Sequence, residues 1–202
     1  AAETTLPDLK VFICGGASVP PALIEGAGEY FEKAVVTRVY GSTELPVTTV
    51  GALEPDARHY AAHSDGQAGF AEVILADDGE IRARGPQMML GYFHAEDEES
   101  AFDADGYYRS GDQGRWLDDR YMVVTGRIKD LIIRNGENIA PKEIEDLLVQ
   151  DDAIGEIAIV GIPDPRTGEK AIAVIVPSGD AKPELPHLVS ILAGHGVAKF
   201  KY

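Results

Sequence analysis

The chain has 202 residues, 45% hydrophobic and 26% charged; these are the proportions of a folded globular protein, and no apolar run approaches the roughly 18 residues of a membrane helix. Its 34 acidic and 18 basic residues leave a formal charge of −16, a long-range field that disfavours nucleic-acid and anionic-membrane surfaces, so anionic ligands must be met by loop amides, helix ends, a metal ion or single basic side chains. Cys14 is the one cysteine, which excludes an intrachain disulfide and predicts a reducing, cytoplasmic setting.

In chain order, KVFICGG reads as a short buried strand ending in glycines. VPPALIEGAGEYFEKA reads as a helix opened by Pro20 and Pro21, with Leu23, Ala27 and Tyr30 or Phe31 at helical spacing. AVVTRVY is the next strand, and strand, helix, strand predicts a parallel pair with a crossover helix. From about residue 66 short strands alternate with turn signals: one hairpin about Asp78-Gly79 and a second about Asp118-Asp119 predict a small antiparallel, barrel-like unit. After Gly126 the pattern resets. KDLIIRNGENIAPKEIEDLLVQ predicts a strand, a glycine turn and a helix from near Pro141; IGEIAIVGIPD and EKAIAVIVP are two further strands, and PELPHLVSILAGHG a last helix. The expected fold class is α/β, in the mixed α+β sense. Residues 1–126 form the end of a large α/β domain with its antiparallel β unit, and 127–202 a small α+β domain. No signal or transit segment is expected, and both ends read as cut from something longer.

The chemistry-bearing residues cluster at strand ends. In CGGAS, Gly15, Gly16 and the small Ala17 would let a flat ligand approach the backbone, or they form a tight turn. In VYGSTE, Tyr40 could stack on a heteroaromatic ring, Thr43 donate to an anion and Glu44 hold Mg²⁺; equally, Thr43 and Glu44 could cap a helix. Two such ends of one parallel sheet lie side by side, where open α/β sheets bind ligands. Asp112, between glycines in YYRSGDQG, is placed in a loop leaving a strand, where a carboxylate can accept two hydrogen bonds from a vicinal diol or simply close a turn. Arg127 and Lys129 flank Ile128 at the domain boundary and are either solvated linker residues or a ligand contact and a hinge. His59, His63 and His94 are placed in loops, without metal-ligand spacing.

CGGASVP, YGSTE, GEIRARGPQMMLGY, YYRSGD and GRIKDLIIRNGENIAPKEIE, in this order and at these intervals, resemble the acyl-adenylate-forming superfamily of acyl-CoA synthetases, luciferases and peptide-synthetase adenylation domains. IVGIPDPRTGEK and VAKFKY resemble that family's small C-terminal domain. CGGASVPPALI with YGSTELP looks most like the branch of cyclohexanecarboxylate and medium- to long-chain fatty acyl-CoA ligases. The resemblance implies a large nucleotide-binding domain in which Gly15, Gly16 and Ala17 line the adenine pocket and Tyr40 stacks on adenine. Gly41 joins the nucleotide contacts, Thr43 contacts the α-phosphate and Glu44 binds Mg²⁺. Asp112 and Arg127 hold the ribose, Lys129 is the hinge of a mobile domain, and the Gly136 loop approaches the pantetheine thiol.

The implied substrates are a carboxylic acid, probed first among fatty and alicyclic acids, with ATP and CoA. Attack on the α-phosphorus gives acyl-AMP and pyrophosphate, and the CoA thiol then displaces AMP. A homodimer is an expected assembly. Two family features have no counterpart here: the upstream Gly/Ser/Thr-rich phosphate loop and the catalytic lysine that follows a segment like AKFKYPE. Lys199 and Lys201 belong to that preceding segment, so the fragment alone is expected to be inactive. DDRY also has Arg120 where a turn glycine is common. The alternatives are an acyl-AMP ligase that loads a carrier protein and a non-catalytic nucleotide-binding or interaction module.

Overall fold

The computed structural model describes residues 6, 8–54 and 56–202. They fall into two compact units, Ala1–Val124 and Thr125–Tyr202, where the composition shift predicts a boundary at 126/127.

The first unit opens with β1 (Val11–Cys14), α1 (Pro21–Tyr30) and β2 (Val35–Arg38). The two strands pair in parallel, Val11 opposite Val35 and Cys14 opposite Arg38, with α1 as the crossover. Pro21 stands in the first turn of α1, where the missing N–H of proline would have had no partner anyway. The buried face of α1 differs from the expected one. Ile24 is its buried residue, while Leu23 and Tyr30 are 53% and 58% exposed. The helix is turned so that Ile24 and Ala27 meet Val36, Ala57, Ala61 and Ala62. The expectation of a buried KVFICGG strand is also not met. Val11, Phe12 and Ile13 are all exposed, and among the described residues β1 pairs only with β2, in a two-stranded sheet.

The unit continues through β3 (Thr49–Val50), α2 (Arg58–His63), β4 (Gln67–Ala68), β5 (Glu72–Leu75), β6 (Glu80–Arg84), α3 (Ala95–Ala101), β7 (Tyr108–Leu117) and β8 (Tyr121–Arg127). Six of these strands form one sheet in the order β3-β4-β8-β7-β6-β5. It is an open sheet with β3 and β5 as edges, rather than the barrel-like unit expected. Leu45, Ile81 and Met122, all fully buried, sit at the centre of its core.

The hairpin between β7 and β8 turns on Asp118 and Asp119, at φ 51° and 54°. That is the pair of left-handed residues a type I′ turn demands, and it matches the twist of the strands. Arg120 donates its N–H to the Leu117 carbonyl at 3.3 Å and closes the turn. It therefore needs no glycine-like conformation. His59 and His63 prove to be helical, four residues apart on α2, with His63 facing Glu25 at 3.4 Å. Among the described residues, no group of three or more His, Cys, Asp or Glu could hold a metal ion.

The second unit contains β9 (Ile132–Arg134), β10 (Glu137–Ile139), α4 (Pro141–Leu148), β11 (Ile154–Asp164), β12 (Gly168–Pro177) and α5 (Leu185–Gly194). The sheet order is β10-β9-β12-β11. Asn135 at φ 54° and Gly136 at φ 81° make the turn from β9 to β10, the Asn-Gly solution to a two-residue hairpin. Ile144 and Leu148 of α4 and Leu188 and Leu192 of α5 bury against Ile132, Ile139, Ile154 and Ile159 of the sheet. No helix among the described residues is long and apolar enough to cross a membrane.

Candidate functional site

The parallel strands bring two of the sequence-selected stretches together. Val39 donates its N–H to the Cys14 carbonyl at 2.9 Å, so Gly15 lies beside Val39. A Cβ on Gly15 would stand 2.9 Å from the Val39 carbonyl oxygen. The missing side chain of Gly15 therefore serves strand contact. Gly16, at φ +81°, has open space where a Cβ would point, and both glycines and Ala17 are exposed.

Beyond β2 the chain folds back on itself. Ser42 donates its N–H to the Leu45 carbonyl, and Leu45 donates its N–H to Ser42 Oγ, both at 3.2 Å. Thr48 Oγ1 donates to the Leu45 carbonyl at 2.8 Å. Leu45, fully buried, pins this loop into the core, and Thr43 is left exposed above it with Glu44 half-buried. Gly41 is dictated by the fold-back: a Cβ there would lie 2.6 Å from the Val47 nitrogen. Gly41→Ala is expected to cost about 1–3 kcal/mol of unfolding free energy through overpacking, measured by denaturant titration. An unchanged midpoint would show that the loop yields.

Tyr40 is locked at both ends. Its N–H donates to Thr49 Oγ1 at 3.0 Å, and Thr49 returns its own N–H to the Tyr40 carbonyl at 3.0 Å. Its hydroxyl donates to Asp112 Oδ2 at 2.7 Å. Burial first, and the Asp112 charge with it, raise the Tyr40 pKa far above the ordinary tyrosine range despite an opposing hydrogen bond from Ser110. Tyr40 thus remains a neutral donor. Glu44 Oε1 accepts from the Tyr92 hydroxyl at 2.8 Å. Burial works against ionisation of Glu44, but hydrogen bonds from Tyr92, its own backbone, Ser42 and Tyr108 outweigh it, and the pKa is lowered. Burial and the Glu44 carboxylate together raise the pKa of Tyr92.

Asp112 is not in a loop leaving a strand, as the sequence suggests, but inside β7. Glu80 pairs with Gln113 and Arg82 with Arg109, so Ile81 alone faces Ser110, Gly111 and Asp112. This is a bulge, a device that bends a strand and re-aims its side chains. Ser110 Oγ donates to the Ile81 carbonyl at 2.6 Å and accepts the Asp112 N–H at 3.0 Å. Gly111 takes φ +71°. The bulge presents a buried Asp112 to Tyr40, 72 residues earlier in the chain.

The remaining selected residues lie at and beyond the end of β8, a strand that runs from the first unit into the second. Arg127, exposed, ends β8 and precedes a 3-10 turn, Ile128–Asp130, that carries the exposed Lys129. Gly136 is at the tip of the β9–β10 turn with open space about it. Sequence reasoning overlooked Thr49, Ser110 and Tyr92. Only a glycine-flanked tyrosine in MLGY and a Ser-Gly pair inside a strand-like run mark the last two in the sequence.

The AMP-binding enzyme family matches residues 1–93, and the AMP-binding enzyme C-terminal domain matches residues 143–200. A 3-[(3aS,4S,7aS)-7a-methyl-1,5-dioxo-octahydro-1H-inden-4-yl]propanoyl:CoA ligase of Rhodococcus jostii (strain RHA1) is 40% identical over 175 residues, which cover 85% of this chain and 33% of the relative. The medium-chain fatty-acid–CoA ligase of Escherichia coli (strain K12) is 35% identical over 212 residues, 98% of this chain and 37% of the relative. The crystal structure of ATP-bound MatB from Rhodopseudomonas palustris superposes with a TM-score of 0.81 at 27% identity, covering 95% of this chain and 40% of that one. The chain thus spans between about a third and two fifths of the length of the proteins it matches. With both halves of the family's pattern in the family's order, the chain belongs to the AMP-binding enzymes.

Proposed function

We propose that these residues are the nucleotide-holding end and the small C-terminal domain of an AMP-forming acyl-CoA ligase that acts on fatty or alicyclic carboxylic acids in the cytoplasm. The observation that carries this reading is the hydrogen bond from Tyr40 to Asp112. It joins the end of β2 to the bulge of β7 and sets an aromatic ring beside a carboxylate, the pair that an adenosine requires. A carboxylate offers about four acceptor positions, so Asp112 can take a ribose hydroxyl while it accepts from Tyr40. Tyr40, held at its backbone and at its hydroxyl, offers its ring for stacking. Thr43, exposed on its pinned loop, donates to the α-phosphate. Gly16 and Ala17 give the adenine edge access to backbone.

Glu44 suits a magnesium ion carried in with the phosphates, since such an ion keeps much of its water and needs only one or two carboxylates. The lowered pKa of Glu44 keeps it ionised for that role. When bound, the ion neutralises charge on phosphate oxygens. In the first half-reaction the acid's carboxylate attacks the α-phosphorus and pyrophosphate leaves. The mixed anhydride so formed makes AMP a good leaving group for the CoA thiol. Preorganised donors aimed at the phosphate oxygens supply most of the stabilisation.

The test is carboxylate-dependent pyrophosphate release by the full-length protein across fatty, alicyclic and aryl acids, followed by CoA-dependent thioester formation. We expect release with at least one acid class and thioester only with CoA. Absence of release with every acid would overturn the reading. Lys129 tests the hinge. Proline disfavours a helical conformation of the preceding residue, so Lys129→Pro would straighten the Ile128–Asp130 turn. Pyrophosphate release should stay near wild type while thioester formation falls about tenfold or more. Equal loss of both half-reactions would contradict the hinge.

A further inference from the structure

Glu80 is a carboxylate only 4% exposed, on the strand beside the bulge. Its two oxygens have different work. Oε2 receives the Arg82 guanidinium at 2.7 Å and Arg109 at 3.6 Å. Oε1 accepts the backbone N–H of Gly111 at 3.2 Å, the residue directly before Asp112. A bulge removes backbone groups from the ladder, and a buried N–H left without a partner carries the cost of its lost hydration. Glu80 Oε1 replaces the partner that the bulge took from Gly111. The arginines offset the burial of the charge, and Arg82 is tied in turn to Asp103 at 3.2 Å.

We propose that Glu80 is a positioning residue for nucleotide binding: through the Gly111 N–H it holds the bulge that sets the Asp112 carboxylate against Tyr40. The proposal rests on the reading of Asp112 as a ribose-holding group. Glu80 itself touches no substrate. Its influence reaches the nucleotide only by way of Asp112, and this separates it from a residue that merely stabilises the sheet.

The experiment is a double-mutant cycle on AMP affinity, measured by calorimetry with AMP itself on the full-length protein and its Glu80→Ala, Asp112→Ala and doubly substituted forms. Because Glu80→Ala opens a hole and strands two arginines, Glu80→Leu, which keeps most of the side chain's volume but has no acceptor for the Gly111 N–H, is carried through the same cycle in case the alanine form does not fold. With Asp112 present, loss of Glu80 should weaken AMP binding about five- to tenfold; with Asp112 already removed, it should change affinity less than about twofold. The same factor in both backgrounds would overturn the proposal, since a structural role acts whether or not Asp112 is there. An unchanged affinity for Glu80→Ala or Glu80→Leu alone would overturn it as well. Wild-type affinity in Asp112→Ala would instead overturn the ribose reading beneath it, a result distinct from either.

Discussion

Asp112→Ala is expected to weaken AMP and acyl-AMP binding by about 1.5–3 kcal/mol, the range for hydrogen bonds to a charged group. The substitution removes the acceptor of the Tyr40 hydroxyl together with the carboxylate that would meet the ribose. The two losses separate with a second variant. Asp112→Asn keeps a carbonyl oxygen for Tyr40 but gives up the charge, so its affinity should fall between wild type and alanine, while its stability stays closer to wild type. Calorimetry with AMP reads the affinity, and thermal melts read the stability. An affinity for Asp112→Ala equal to wild type would remove Asp112 from the site.

Leu148→Ala should cost the second unit about 2–5 kcal/mol, the usual span for emptying a leucine-sized space in a packed core. Leu148 ends α4 and is 1% exposed, within the cluster that joins α4 and α5 to the sheet through Ile132, Ile139 and Leu188. A unit of fewer than 80 residues, Thr125–Tyr202, has little stability to spare, so a loss in the upper half of that span would leave it largely unfolded at 25 °C. Hydrogen exchange of amides between residues 132 and 192 measures the change. Protection equal to wild type would mean that the cluster collapses around the missing side chain.

Much of the fold was legible from local chemistry. Pro20 and Pro21 mark the start of α1, Asn135-Gly136 marks a tight hairpin, and the run IGEIAIVGIPD coincides with β11. These signals work because each depends on the backbone preferences of a few adjacent residues. Burial was less legible. An apolar strand reads as buried by composition, yet Val11, Phe12 and Ile13 are exposed, since burial depends on which neighbours pack against a strand. α1 was rotated from its expected face for the same reason: Leu23 and Ile24 are both apolar, and only the packing partners choose between them.

The sequence by itself determined which chemical groups are present: the hydroxyls and carboxylate of Tyr40, Thr43 and Glu44 after a strand, Asp112 between glycines, and the ordered motifs that place the chain in its family. Only the tertiary structure decided how Asp112 is aimed. The Ser110–Asp112 bulge comes from a mismatch of register between β6 and β7, and register is a relation between strands that neither carries alone. For the same reason Glu80 gave no sign of itself in GEIRARG. Its partner is a backbone N–H 31 residues away, and a backbone amide has no letter in the sequence.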